Sequence, residues 1–477
     1  MQKHIGPMLG RLSALALGAV IVASCTSEKI TYKSTPSYTT PPAAAGNFVG
    51  YADTVKKQTV CGNCHVDKQT DWAATKHANA WADLQASGHA GASCVPCHTV
   101  DSRGNAAPDT LVGFLATNDA RYKDVQCENC HGAGLDHVTT PTLSNRPLAS
   151  IAVDTGLANG CGECHTGTHD PFVDEWVQTK GAGHAHLEAH ALGNASCTYC
   201  HVGQDALAKW GINTNYVEAS QDATNPMGIT CAVCHDPHGG PNTAQLRYAI
   251  NVRDTSQNLC MRCHQRNGKP AAPASNYAPM SPEGPVLLGF AGYFPAGYTG
   301  PDTIVATHGS TANANLCVTC HMPTMTVNDA SGKFVSSYTG HTWAAAPCLN
   351  AQGVPTNGDC DISQRSFAAC AGSGCHGSPD VARSAWTAVT GRLALLDSAL
   401  SSQLAQIPST EFKKTTMNSA IGGKYNLMLA EKPGSEVHNP FLMETLLTTS
   451  IKQLQADYGV NPKYNVSLSL QLKDPAA

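Results

Sequence analysis

The pattern of apolar and polar positions divides this chain into a long part with little periodicity and a shorter helical part. Before residue 382 helical periodicity is scarce, and only short stretches such as residues 69–84 and 174–192 predict helices. Residues 382–407 place apolar side chains on or near one helix face, and residues 440–458 predict a second helix. The apolar positions of the first of these two helices are Trp386, Val389, Leu393, Leu396 and Leu400. Residues 268–301 are rich in Pro and Gly and predict a long loop.

The strongest apolar run lies near the N-terminus, at residues 12–23, and Lys3 and Arg11 precede it. A run of this length is too short to span a bilayer comfortably, and basic residues before such a run are typical of a secretory signal. No later segment is apolar enough to cross a membrane. The sequence therefore predicts a signal peptide over residues 1–24.

The end of this run, Val22-Ala23-Ser24-Cys25, resembles the bacterial lipobox, in which the Cys becomes the lipidated first residue of the mature protein. Thr26 follows instead of the Asp that usually retains lipoproteins at the inner membrane, so the resemblance implies sorting to the outer membrane. A plain secretory signal with a chance Cys is the alternative. Residues 25–50, rich in Ser, Thr and Pro, predict a flexible tether.

Composition changes this picture in two ways. The 477 residues include 21 Cys and 21 His, whereas charged residues are 14% and aromatic residues 6%. Few large side chains are thus available for conventional cores, and another group must supply apolar bulk. The formal net charge of −5 provides no basic field for nucleic acid, so no nucleic-acid partner is expected.

The cysteines follow one motif, Cys-x-x-Cys-His, which occurs eight times. The copies are Cys61/Cys64/His65, Cys94/Cys97/His98, Cys127/Cys130/His131, Cys161/Cys164/His165, Cys197/Cys200/His201, Cys231/Cys234/His235, Cys260/Cys263/His264 and Cys317/Cys320/His321. This is the c-type haem attachment motif: two thiols form thioethers, and the following imidazole becomes the proximal iron ligand. Zinc sites and redox dithiols also use Cys-x-x-Cys, but eight copies all followed by His disfavour both.

A ninth attachment site has a longer spacer. Cys370 and Cys375 precede His376 with four residues between the two thiols, and two glycines and a serine would let this loop bulge. A disulfide between Cys370 and Cys375 is the alternative. Cys348 and Cys360 lie outside any attachment motif and most simply pair with each other in an oxidising compartment.

The motifs define the organisation of the chain. The first six recur every 33 to 36 residues, and the later intervals are about 29, 57 and 53. We expect a haem-repeat region with seven motifs at residues 51–265, a region with longer loops and two sites at 266–380, and a helical C-terminal cap at 381–477. The predicted fold is mostly irregular, with short α-helices wrapped around stacked c-type haems, an α-helical C-terminal module and little β-structure.

Histidines outside the motifs are plentiful enough to act as distal ligands, since there are eleven candidates for nine irons. They are His77, His89, His137, His169, His184, His186, His190, His238, His308, His341 and His438. His186 and His190 share a helix face, so one of them could contact a propionate instead. Met is the alternative distal ligand.

Several segments resemble the multihaem c-type cytochromes of anaerobic respiration, including the outer-membrane and extracellular cytochromes of metal-reducing bacteria. The segments are Trp72 to Ala78, Val125 to Gly132 with His137, Cys231 to Gly239, Cys317 to Pro323 and Gly434 to Pro440. The resemblance implies haems within tunnelling distance of one another, and it makes His438 a candidate partner for the ninth site.

Two classes of function follow. The first is an electron-transfer protein, not an enzyme, that passes electrons from haem to haem. As an outer-membrane lipoprotein on the periplasmic or surface side, or as an extracellular protein, it would serve partner cytochromes, a porin-cytochrome conduit, or periplasmic or extracellular acceptors. The second is an oxidoreductase of the nitrite, hydroxylamine or tetrathionate type, with one open-site haem. Polymerisation into a haem filament is a further alternative and would require a His donated to the neighbouring subunit.

Overall fold

The protein consists of short helices joined by irregular segments. A computed structural model describes residues 45–107, 109–153, 160–179, 192–212, 215–220, 226–272, 278–372 and 375–473. The α-helices are Val66–Ala73, Ala80–Ala86, Gly113–Thr117, Cys127–His131, Leu135–Thr139, Phe172–Val177, Ala195–His201, Gly203–Lys209, Cys231–Cys234, Glu283–Leu287, Cys317–His321, Ala368–Ala371, Pro379–Leu404, Ser419–Ala430, Ser435–His438 and Pro440–Tyr458. None of the helices in these ranges has the length and apolar character of a membrane span.

β-Structure is limited to three antiparallel pairs of short strands. The pairs are Tyr51–Asp53 with Gln58–Thr59, Met325–Asn328 with Phe334–Tyr338, and Cys348–Leu349 with Pro355–Thr356. No larger sheet forms within the described ranges. The prediction of a mostly irregular and helical chain with little β-structure is therefore confirmed.

The helix expected over residues 69–84 is interrupted. Val66–Ala73 and Ala80–Ala86 are separate helices, with only a 3₁₀ turn between them. At the break, the Thr75 hydroxyl donates to the Trp72 carbonyl oxygen, which also accepts the Thr75 N–H. A local side-chain bond of this kind competes with continuation of a helix, so the prediction of one continuous helix is wrong.

Two other expectations are met in part. The helix expected over residues 174–192 is observed as Phe172–Val177, and residues 180–191 lie outside the described ranges. The loop expected over residues 268–301 contains the helix Glu283–Leu287, in which Val286 is fully buried. Apolar residues in a Pro/Gly-rich segment thus contribute to the interior.

The C-terminal helices agree with the sequence pattern. Pro379–Leu404 begins after Ser378, whose side chain accepts the Val381 N–H, and Pro440–Tyr458 begins after Asn439, whose side chain accepts the Leu442 N–H. Such caps satisfy backbone donors that have no partner within the helix. Both predicted helices are therefore confirmed to within a few residues.

A third C-terminal helix, Ser419–Ala430, was not predicted. Its residues are buried around most of the helix, including Gly422 and Gly423, so it lacks the polar face that reveals an amphipathic helix. A Cβ at Gly422 would lie 2.0 Å from the Tyr293 ring, and the Asn426 side chain bonds both the N–H and the carbonyl of Tyr293. The helix therefore fits only in this tertiary setting.

The largest apolar core lies in the C-terminal region, where these three helices pack together. Fully buried members include Leu396, Leu400, Leu442, Leu446 and Ile451. The apolar clusters near the attachment motifs are smaller. The conventional interior is thus concentrated away from most of the cysteine motifs.

Candidate haem-binding sites

Each Cys-x-x-Cys-His motif forms about one helical turn. Four lie on short α-helices, and four lie on 3₁₀ turns or at the end of one. In either geometry residues three apart lie on the same side of the turn, so the two thiols of one motif share a face. The local sequence thus presents two thiols and an imidazole together, as attachment to one porphyrin requires.

Thiols of different motifs also meet. Five pairs share a hydrogen bond: Cys61 with Cys127, Cys97 with Cys164, Cys161 with Cys231, Cys200 with Cys263, and Cys260 with Cys317. Three further pairs of thiols influence each other electrostatically: Cys130 with Cys161, Cys234 with Cys260, and Cys320 with Cys370. Together these eight pairs of neighbouring thiols join all nine motifs into one continuous network.

Histidine rings face one another in five pairs, each of which includes one motif His. The distances between ring centres are 6.0 Å for His77 and His165, 6.2 Å for His131 and His238, 6.3 Å for His235 and His341, 6.0 Å for His308 and His376, and 6.0 Å for His321 and His438. Every distal member of these pairs is a residue that the sequence suggested. The chain thus brings together side chains that are far apart in sequence.

These separations fit an iron between two imidazoles. Metal–nitrogen bonds of about 2 Å, with each ring centre roughly 1 Å behind its nitrogen, place the two centres about 6 Å apart. Burial, followed by the neighbouring ring of the pair, lowers the pKa of His77, His341 and His438 to about 4. At neutral pH these rings are uncharged, which is the form that binds a metal.

The second nitrogen of several motif imidazoles is already engaged. Nδ1 of His98 lies 2.8 Å from the carbonyl oxygen of Ala80, and Nδ1 of His131 lies 3.0 Å from the carbonyl oxygen of Pro147. Nδ1 of His235 lies 2.7 Å from the carbonyl oxygen of Ala244, and Nδ1 of His321 lies 2.7 Å from the carbonyl oxygen of Trp343. A carbonyl oxygen can only accept, so Nδ1 must carry the proton in these rings. Nε2 is then left with a lone pair for a metal.

Comparison with known proteins agrees with this geometry. The family profile described as cytochrome c554 and c-prime matches residues 60–132, and the profile described as a doubled CXXCH motif matches residues 225–269. In these two segments the chain is similar to multihaem c-type cytochromes.

Two curated relatives are similar to parts of this chain. The C-type polyheme cytochrome OmcC of Geobacter sulfurreducens is 28% identical over 37% of this chain and 26% of its own length. The multiheme cytochrome MtrA of Shewanella baltica is 23% identical over 37% of this chain and 54% of its own length. The matched segments thus span about a quarter and about half of these relatives.

Two solved structures are also similar. An undecaheme cytochrome from the S-layer of Carboxydothermus ferrireducens has a TM-score of 0.50 and 18% identity, over 90% of this chain and 71% of that one. The outer cell wall cytochrome OcwA has a TM-score of 0.46 and 21% identity, over 76% of each chain. The first of these likenesses supports a multihaem cytochrome fold.

Two motif histidines have a carboxylate partner. His165 Nδ1 lies 2.6 Å from Asp170 Oδ2, and His264 Nδ1 lies 3.2 Å from Glu283 Oε2. Burial acts to lower the pKa of His165, but the hydrogen bond and charge of Asp170 outweigh it, and the pKa is raised. A carboxylate partner makes an imidazole a more basic ligand than a carbonyl partner does.

The segment between two C-terminal helices supports two of the imidazole pairs. His438 faces His321, and the preceding carbonyl oxygen, of Val437, lies 2.6 Å from Nδ1 of His308. The Asn439 side chain donates to the carbonyl oxygens of Val286 and Ile304, which anchors this segment. The helical cap therefore holds one distal candidate directly and a second through a backbone oxygen.

This arrangement differs from the expectation for His438. The resemblance suggested the ninth motif as its partner, whereas the structure places His438 against His321 of the eighth motif and His308 against His376 of the ninth. The exchange follows from the hydrogen bond between His308 and the Val437 carbonyl oxygen, which sets the two distal rings side by side. Only the three-dimensional packing distinguishes the two assignments.

The first motif differs from the other eight in the exposure of its histidine. His65, its predicted proximal ligand, is exposed, whereas the other eight motif histidines are half-buried. Among the residues that the structure describes, no distal candidate faces the His65 ring. The physical reason is local, because His65 immediately precedes the helix Val66–Ala73 and its chain neighbours Cys64, Val66 and Asp67 are exposed as well. The role of His65 as a proximal ligand therefore stays a prediction from its motif.

The other candidate residues are placed as follows. His89 and His169 are exposed, and Nδ1 of the half-buried His137 lies 3.3 Å from Asn145 Oδ1. His184, His186, His190 and Cys25 lie outside the described ranges. Cys370 and Cys375 are free thiols, not a disulfide, and the expected disulfide between Cys348 and Cys360 is confirmed.

Sequence reasoning missed the residues that orient the imidazoles. Asp170 follows His165 by five positions and could have been suspected from that proximity. Glu283 and Glu175 carry no such signal, since the groups they hold lie far away in the sequence. These carboxylates become recognisable only once the chain is folded.

Proposed function

We propose that this protein transfers electrons along a row of nine c-type haems. Eight would be attached at the Cys-x-x-Cys-His motifs and the ninth at Cys370, Cys375 and His376. When bound, haem supplies a one-electron iron couple whose potential depends on its axial ligands and surroundings. The network of neighbouring thiols supports the proposal, because groups attached to adjacent cysteines would themselves be adjacent.

The facing imidazoles carry this proposal. We assign His77, His238, His341, His438 and His308 as the distal ligands opposite His165, His131, His235, His321 and His376, respectively. In each pair both imidazoles would hold the iron and so leave no open position for a substrate. An iron held in this way would favour outer-sphere electron transfer over catalysis at these five sites.

Each kind of residue has its own role in this proposal. The cysteine pairs would anchor the haems, the paired histidines would coordinate the iron, and the groups at Nδ1 hold each imidazole in one tautomer and orientation. Distances between sites are then set by the polypeptide and not by diffusion of a carrier. This division needs no side chain that gains or loses a proton during transfer.

We also propose that the mature protein is attached to the outer membrane through a lipid on Cys25 and faces the periplasm or the cell surface. The lipobox-like residues Val22 to Cys25 support this location. Partner cytochromes, a porin-cytochrome conduit, or periplasmic or extracellular acceptors would then exchange electrons with it. Intact mass of membrane-extracted protein, compared with that of a Cys25→Ser variant, tests for the lipid.

Intact mass and low-temperature EPR of the oxidised protein test the core of the proposal. We expect the mass of nine haems above the polypeptide, eight in a Cys370→Ala/Cys375→Ala variant, and mainly low-spin ferric signals. Nitrite or hydroxylamine should leave these signals unchanged. Colourless protein, or a strong high-spin signal that shifts with nitrite, would contradict electron transfer as the function.

A further inference from the structure

The carboxylate of Glu175 holds a segment that lies far away in the sequence. Glu175 is 4% exposed and lies on the helix Phe172–Val177, shortly after the fourth motif. Its Oε1 accepts the Thr339 N–H at 2.7 Å, and its Oε2 accepts the Thr339 hydroxyl at 2.9 Å and the His341 N–H at 2.7 Å. One buried carboxylate thus satisfies three donors in the segment that carries the distal candidate of the sixth motif.

The direction of these bonds determines the tautomer of His341. The Thr339 hydroxyl has one proton, and it donates this proton to the carboxylate. Toward His341 Nδ1, 2.9 Å away, the same oxygen can then only accept, so Nδ1 must carry the proton of the imidazole. Nε2 keeps its lone pair, and the ring centre lies 6.3 Å from that of His235, with an angle of 26° between the two ring planes.

The same helix also contacts the fourth site. The Phe172 ring stands edge-on to His341 at 4.8 Å and edge-on to His165 at 5.6 Å. Asp174 accepts the Gly167 N–H and the Thr166 hydroxyl, which ties the helix to the residues after the fourth motif. The helix therefore lies between the imidazoles of two neighbouring sites and is bound to both.

We propose that Glu175 is a positioning residue that, through the Thr339 hydroxyl, sets the tautomer and orientation of His341 as the distal ligand of the sixth site. This proposal rests on the proposed function, since it requires His235 and His341 to bind the same iron. The helix Phe172–Val177 then links the ligand geometry of the fourth and sixth sites. Second-sphere hydrogen bonds of this kind control the ring orientation and basicity of a ligating imidazole.

Four variants of the haem-loaded protein test the role of the hydrogen bonds that the Thr339 hydroxyl makes with Glu175 and His341. Thr339→Val removes the hydroxyl and keeps the shape, Thr339→Ser restores it, and Glu175→Gln replaces an acceptor oxygen with a donor. Ser336→Ala is the matched control, because Ser336 lies on the preceding strand and bonds backbone carbonyls instead of the ring. Intact mass must first show an unchanged number of attached haems.

Low-temperature EPR is the readout. We expect Thr339→Val and Glu175→Gln to shift or remove the low-spin signal of about one haem, while Thr339→Ser and Ser336→Ala match the parent protein. If the spectra of all four variants match that of the parent protein, the proposal is overturned. A Thr339→Ser spectrum like that of Thr339→Val would also overturn it, because packing and not the hydroxyl would then be responsible.

A His341→Ala variant separates this proposal from the ligand assignment. If it loses one low-spin signal while Thr339→Val and Glu175→Gln do not change theirs, only the positioning role fails. If it keeps the full low-spin signal, His341 is not an axial ligand, and the assignment under the proposed function fails with it. Added imidazole should restore the lost signal in His341→Ala, since it can occupy the vacated position.

Discussion

At the scale of single residues, the motif imidazoles differ in the group that faces Nδ1. Backbone carbonyl oxygens face His131, His235 and His321, whereas a carboxylate faces His165 and another faces His264. A negative charge behind the ring stabilises ferric iron relative to ferrous iron. The fourth and seventh sites should therefore have lower potentials than the sixth and eighth sites, whereas at the third site the distal His238 has a carboxylate partner of its own, Asp236 Oδ1 at 3.0 Å from Nδ1.

Replacing Asp170 tests this electrostatic difference. Asp170→Asn removes the charge but keeps a side-chain oxygen that can accept from Nδ1, so one haem should become easier to reduce. A second-sphere effect of about 10–100-fold on a one-electron couple corresponds to roughly 60–120 mV. Spectroelectrochemical titration measures this shift. The control Asp329→Asn changes an exposed carboxylate that bonds Ser331 and Lys333 and no ring, and it should leave every potential in place.

Asp397 gives the protein a dependence on pH. Burial, followed by the charges of Glu431 and Glu436, raises its pKa from 3.8 to about 7. Because the folded pKa is raised, the stability associated with the neutral carboxyl is full below pH 4 and is lost as pH rises through about 7. The difference corresponds to roughly 4 kcal/mol, which partial exposure reduces to about 2 kcal/mol.

Thermal unfolding of an Asp397→Asn variant between pH 5 and pH 8 measures this contribution. Across this range we expect the melting temperature of the variant to rise relative to that of the parent protein, because the variant has no carboxyl group to ionise. Equal slopes for the two proteins would show that another group is responsible.

At the scale of elements, the C-terminal helices are held together by a buried ion pair as well as by apolar packing. Arg392 Nε lies 2.7 Å from Glu444 Oε1, and the two side chains are 7% and 1% exposed. Glu444 also accepts the N–H groups of Gln471 and Leu472, and Arg392 donates to the carbonyl oxygens of Ser467 and Ser469. The ion pair thus holds the C-terminal segment 467–472 against the helices Pro379–Leu404 and Pro440–Tyr458.

A Glu444→Ala variant should therefore be strongly destabilised. Removing one partner leaves a buried guanidinium without its counter-charge, which costs about 3–5 kcal/mol of unfolding free energy. Denaturant titration followed by helical circular dichroism measures the loss. The control Lys56→Gln breaks an exposed pair with Asp53 and should cost less than about 1 kcal/mol. A similar small loss for both variants would contradict the structural role of Glu444.

At the scale of the whole molecule, the thiol contacts define an order of sites. Hydrogen bonds or electrostatic proximity between thiols link motifs one, three, four, six, seven, eight and nine in series, with motif two joined to motif four and motif five joined to motif seven. Cys64 and His65 are exposed at one end of the series and Cys375 at the other, and Cys130 of the third motif is exposed within it. The protein is therefore expected to conduct between its first and ninth sites, with two side branches.

Two variants that each lose one haem test whether a given site lies within the series or on a side branch. Removing the sixth attachment, with Cys231→Ala and Cys234→Ala, should interrupt the series and cause a large loss of current between electrodes bridged by the protein. Removing the second, with Cys94→Ala and Cys97→Ala, should leave most of the current, since that site lies on a branch. Intact mass confirms one missing haem in each, and equal currents would contradict the order proposed here.

The sequence alone was sufficient wherever the chemistry is contained in one turn of chain. Two thiols and an imidazole within five residues present an attachment site whatever surrounds them, and amphipathic periodicity and caps predicted Pro379–Leu404 and Pro440–Tyr458. The pairing of Cys348 with Cys360 followed because no other cysteines remained outside the attachment motifs and Cys25.

Tertiary structure alone decided which distant groups meet. His438 faces His321 instead of His376, Glu175 holds Thr339, and Ser419–Ala430 is helical without an amphipathic pattern. Each of these depends on contacts between segments that are far apart in the chain, and local spacing contains no information about such contacts. Residue type thus determined which groups could bind haem, and packing determined which of them face each other.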